Sequence, residues 1–70
     1  MNGAEFIRKA RRLARSSGME IRFVTHRGKG SHGTLYLGDR HTIVKDRKKE
    51  LGKGLLAQML SDLGIAPNDF

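Results

Sequence analysis

The sequence predicts an α+β domain in which two helices flank a three-stranded antiparallel sheet, in the order helix–strand–strand–strand–helix. Apolar residues recur at helical spacing near both ends of the chain, and the middle alternates with a period of two. A Gly-Asp-Arg turn closely joins the last two alternating segments, as in an antiparallel hairpin.

Asn2 and Glu5 have the spacing of a capping box. Phe6, Ile7, Ala10, Leu13 and Ala14 then share one helical face, with arginines and Lys9 on the others, until Ser17-Gly18 stops the helix. This is a helix over about residues 3–16. From Met19 to His26, Ile21 and Phe23 fall on one side and Glu20, Arg22 and His26 on the other, with Val24 breaking the pattern. The short connector Arg27-Gly28-Lys29-Gly30-Ser31 leads into a second strand at about 32–37, and Gly38-Asp39-Arg40 turns into a third at 41–44. Residues 45–50 form a charged loop. From about Gly54, Leu55, Leu56, Met59, Leu60 and Leu63 make an apolar helical face that Gly64 ends, with Ile65 folding back and Pro67 beyond. Residues 66–70 read as a loose tail of one domain spanning 1–70. Two amphipathic helices and one sheet bury their apolar residues only if both helices cover the same sheet face, which leaves the other face open.

Seventy residues without cysteine or tryptophan support one small core, so any active site should be shallow and lie at the surface. Lysine and arginine number 14 against 7 acids, and 13 of the 14 lie in residues 1–50. Such a cationic surface suits a polyanion, and nucleic acid is the preferred partner. The basic helix lacks the wide, bulky apolar face that a membrane surface requires. No apolar run is long enough for a signal peptide or a span, and with no cysteine the expected location is cytoplasmic. Three histidines without a carboxylate cluster do not make a zinc or magnesium spacing, so no metal or other cofactor is expected. Neither a Ser-His-Asp nor a Cys-His arrangement is visible.

His32 is the residue that could carry chemistry. If Leu35 and Leu37 face the helices, then His32, Thr34 and Tyr36 face the open side. Arg27 and Lys29 supply positive charge beside it, Gly28 and Gly30 allow close backbone approach with free N–H groups, and Ser31 adds a hydroxyl. Tyr36 is placed either to stack on a base or to pack within the strand. RNA carries its own nucleophile in the 2′-hydroxyl. Cleaving it needs a base for that proton, cations for the charge developing on the phosphate, and an acid for the leaving 5′ oxygen. An imidazole with a pKa near about 6.5 suits the first role, and lysine and arginine suit the second. His26 ends the first strand near His32, and His41 opens the third; each reads more simply as a surface residue. The arginines of the first helix form either a phosphate-contacting face or a solvated one.

At Gly30-Ser31-His32, preceded by Arg27-Gly28-Lys29, the sequence resembles the HicA toxin family. The similarity continues through Thr42-Ile43, Glu50-Leu51, Gly54 and the stretch from Leu60 to Ile65, and so covers nearly the whole chain. The resemblance implies a fold like the double-stranded RNA-binding domain, with both helices on one sheet face. It also implies a toxin that cleaves mRNA without metal, depends on His32, and is held inactive by a HicB-type antitoxin covering the active surface. One position departs from the pattern. Where the family often has Pro-x-His before the Glu-Leu pair, this chain reads Val44, Lys45 and Asp46, which leaves the proton donor to the leaving group open among water, His26 and His41. A non-catalytic RNA-binding module of the same fold is the competing reading.

Overall fold

A computed structural model of the chain describes residues 1–28, 30 and 32–70. The element order is α1 (Gly3–Ser17), β1 (Ile21–Thr25), β2 (Gly33–Leu37), β3 (Arg40–Val44), α2 (Lys53–Leu63) and a short 3-10 turn at Pro67–Asp69. The strands form one antiparallel sheet in the order β1-β2-β3. This is the α-β-β-β-α arrangement of a double-stranded-RNA-binding-domain-like fold.

Each end of α1 has a local cause. The Asn2 side chain accepts a hydrogen bond from the Glu5 amide (2.9 Å), and the Glu5 carboxylate accepts one from the Asn2 amide (3.1 Å). Two otherwise unpaired donors of the first turn are thereby satisfied. At the other end Gly18 adopts a left-handed conformation, and its amide donates to the Ala14 carbonyl.

Strand pairing assigns each side chain to a face. Ile21 lies opposite Leu37, Phe23 opposite Leu35, Leu35 opposite Thr42, and Gly33 opposite Val44. On this side Leu35, Leu37 and Val44 join Phe6, Ile7, Ala10 and Ala14 of α1 and Met59, Leu60 and Leu63 of α2 in one core. Both helices therefore cover the same sheet face, and the other is left open.

Two expectations need correction. Leu55 is 46% exposed and lies outside the core. Leu55, Gln58, Met59 and Asp62 share one stripe of α2, at i, i+3, i+4 and i+7, that lines a groove instead. The segment 66–70 is not a loose tail. Phe70 stacks on Phe6 with ring centroids 4.8 Å apart, and Lys9 donates to the Phe70 carbonyl (3.3 Å), because burying an aromatic ring against the core offsets the entropy of ordering the end. The charged loop 45–50 is a loop as expected, and it is tied to the start of the chain. Ala4 donates to the Arg47 carbonyl (2.9 Å), Leu51 donates to the Met1 carbonyl (2.8 Å), and the N-terminal amine pairs with Glu50.

Candidate functional site

The open face is a grid of three rows, as the register dictates. Arg22, Tyr36 and His41 form one row, and Val24, Thr34 and Ile43 the next. One step beyond the last β1–β2 pair, the His26 amide donates to the His32 carbonyl (2.9 Å), so these two histidines stand opposite each other. Continuing the β2–β3 register by one residue brings Lys45 opposite His32. The third row is thus His26, His32 and Lys45, and all three histidines of the chain belong to this face.

Side chains within the grid are interlocked. His26 Nε2 and the Thr34 hydroxyl share a hydrogen bond of 2.8 Å. Thr34 has the expected parity, yet it is buried, because its neighbours close over it. Arg22 stacks over the Tyr36 ring at 5.0 Å, and the Tyr36 and His41 rings lie 5.8 Å apart. Val24 and Ile43 are 42% and 44% exposed, an apolar middle row between two cationic ones. The break in alternation at Val24 is therefore an apolar residue on the open face, not a slip of register.

His32 is half-buried and lies at the edge of this face, away from the core. It lines a groove of about 480 Å³ that runs between β3 and α2, together with Ile43, Lys45, Lys49, Leu55, Met59 and Asp62. The Asp62 carboxylate accepts from the Thr42 hydroxyl (2.9 Å) and from the Gln58 amide (2.9 Å). These two bonds, Gln58 first, hold Asp62 below its ordinary value, helped by the charge of nearby His41 and opposed by partial desolvation. Asp62, Lys45 and Lys49 were not candidates from the sequence. A spacing of 30 residues between His32 and Asp62 carries no local signal, and only packing of α2 beside β3 joins them.

The connector before His32 is the remaining part of the site. Arg27, Gly28 and Gly30 are exposed, and both glycines have left-handed backbones with φ near 73° and 62°. Only glycine adopts that conformation without strain, so the two fix the path of this loop. Lys29 and Ser31 lie outside the described residues. Tyr36 is half-buried two rows from His32, about 13 Å away at the rise of a strand. His41 shares that distant row, which leaves His26 as the histidine beside His32. Among the described residues no group of three histidines or carboxylates could hold a metal ion, and no helix is long and apolar enough to cross a membrane.

Comparison with curated proteins and with solved structures found no match. A family model described as the HicA toxin of bacterial toxin–antitoxin systems matches residues 7–65, from the first buried turn of α1 to Ile65 beyond α2. That span contains the sheet, the glycine connector and the whole groove. Membership implies an antitoxin as partner. The chain accordingly belongs to the HicA toxin family, the toxin half of bacterial toxin–antitoxin pairs.

Proposed function

We propose that this toxin is a metal-independent endoribonuclease of the cytoplasm that cleaves mRNA, with His32 as general base. The observation that carries the reading is the position of His32: at the groove, across from Lys45, and paired through the backbone with His26. In the proposed reaction the His32 imidazole takes the 2′-hydroxyl proton, and the 2′ oxygen attacks the adjacent phosphorus. The P–O5′ bond breaks to leave a 2′,3′-cyclic phosphate, and the leaving 5′ oxygen takes up a proton. Arg27, Lys29 and Lys45 stabilise the charge that develops on the phosphate, while the amides of Gly28 and Gly30 and the Ser31 hydroxyl hold its oxygens. His26 stands next to the base and is the better placed of the other two histidines to return the proton. Tyr36, two rows away and stacked with Arg22, serves a more distant nucleotide of the same strand. A HicB-type antitoxin covering the open face would block all of these contacts.

The test is cleavage of single-stranded mRNA by the purified protein in EDTA. His32→Ala should reduce the rate by at least about 100-fold while melting like the parent chain. Undiminished cleavage by that folded variant overturns the catalytic role. RNA binding by the parent chain with no cleavage under any condition supports the binding-module reading instead. Expression of the intact chain should arrest growth, and a co-expressed antitoxin should relieve it.

A further inference from the structure

We propose that the groove beside His32 is a nucleobase subsite that takes guanine, with Asp62 accepting hydrogen bonds from the N1 and N2 edge of the base. The proposal rests on the ribonuclease reading above and adds a sequence preference to it.

The groove has the size and make-up of a small-ligand site. Its volume of about 480 Å³ is lined by apolar Ile43, Leu51, Leu55 and Met59 together with charged Lys45, Asp46, Lys49, Glu50 and Asp62. Ile43 and Leu55 are each close to half exposed and both line the groove, so they offer apolar surface on which a base can rest. Lys45 and Lys49 are exposed along the same groove and suit the phosphates on either side of a bound base.

Asp62 decides which base. In a chain of net charge +7 that attracts polyanions, a carboxylate in the groove repels phosphate, so the substrate group that meets it must be a donor. Each oxygen of Asp62 already accepts one hydrogen bond, from Thr42 or from Gln58, and each has a second lone pair to offer. An ionised carboxylate accepts only. Guanine alone among the four RNA bases presents two adjacent donors, N1–H and N2–H, that match the two oxygens. Adenine and cytosine present a donor beside an acceptor, and the acceptor would face the carboxylate. The second proton of the Gln58 amide is available to the guanine O6.

Geometry links the subsite to the reaction. Thr42 of β3, which holds Asp62, lies three residues before Lys45, the first residue beyond that strand, or about 10 Å at the rise of a strand. That separation suits one nucleotide lying along the groove, its ribose near His32 and its base edge at Asp62. The base read is therefore the one attached to the reacting 2′-hydroxyl.

The experiment uses four oligonucleotides that carry a single free 2′-hydroxyl, every other one being methylated, and that differ only in the base at that nucleotide. The guanine substrate should be cut with a kcat/KM about 10-fold or more above the adenine one. Asp62→Asn, which retains a side-chain oxygen for Thr42, should bring that ratio towards one, and Leu55→Ala should lower it as well. Equal cleavage of all four by the parent chain, or a ratio unchanged in Asp62→Asn, overturns the subsite. Loss of antitoxin binding by Asp62→Asn with base selectivity intact also overturns it, by making the groove a protein contact. If no oligonucleotide is cut, the ribonuclease reading fails. The subsite is then judged by titrating the His32→Ala protein with guanosine and adenosine 3′-monophosphates. Tighter guanosine binding that Asp62→Asn removes sustains it, and equal binding overturns it.

Discussion

Gly33 has no side chain because the Phe23 ring occupies the place where one would stand. A Cβ at this position would lie 2.4 Å from the ring and 2.7 Å from the Val24 carbonyl oxygen. Arg47 in turn lies over the same ring, 5.3 Å from its centroid. One contact therefore connects the sheet, the residue after His32 and the charged loop. Gly33→Ala should destabilise the fold by about 1–3 kcal/mol, read from urea denaturation. The sequence gives no sign of this, since a glycine after Gly-Ser-His looks like the end of a flexible connector. Asp62 makes a second prediction at this scale. Hydrogen bonds from Gln58 and Thr42 lower its pKa from 3.8, so its ionised form stabilises the fold above that value and the contribution is lost as pH falls through the folded pKa. The stability difference between the parent chain and Asp62→Asn should be constant near neutrality and shrink below about pH 4, as thermal denaturation at several pH values will show.

The elements divide between those that close locally and those that need a partner. Helix α1 closes locally through its capping box, and Asn2→Ala should cost about 1 kcal/mol of stability in the same denaturation assay. The α2 helix begins at Gly52 without a side-chain cap, so it depends on what it packs against. Its two stripes share Met59, one turned to the core through Leu60 and Leu63, the other to the groove through Leu55, Gln58 and Asp62. Hydropathy alone assigns Leu55 to the core because both stripes are partly apolar. The end of the chain behaves similarly. Phe70→Ala should lower stability by about 1 kcal/mol or more, since it removes the ring pair with Phe6.

Across the whole molecule the positive charge is divided between two sides. Arg8, Arg11, Arg12 and Arg15 lie on the exposed face of α1, which covers the sheet from the side opposite His32. Arg22 and Lys45 lie on the open face. A total of +7 read from the sequence as one cationic surface is thus at least two. Both sides should contribute to long-range attraction, but in the proposed reaction only the open face meets the reacting phosphate. Replacing the four α1 arginines with glutamine should flatten the salt dependence of RNA association and leave the single-turnover rate at saturating RNA unchanged. Lys45→Ala should lower that rate.

What the sequence by itself determined is the order and periodicity of the elements, the start and end of α1, and the parity that turns His32 away from Leu35 and Leu37. Those features depend on residues a few positions apart, where helix and strand geometry leave little choice. Lys49, Leu55, Gln58 and Asp62 became neighbours of His32 only through tertiary structure, as did the pairing of Phe70 with Phe6 and the anchoring of loop 45–50 on α1. These contacts join residues 17 to 64 positions apart. They are set by where α2 settles beside β3 and by how the two ends of the chain meet over one small core, and no local pattern encodes either.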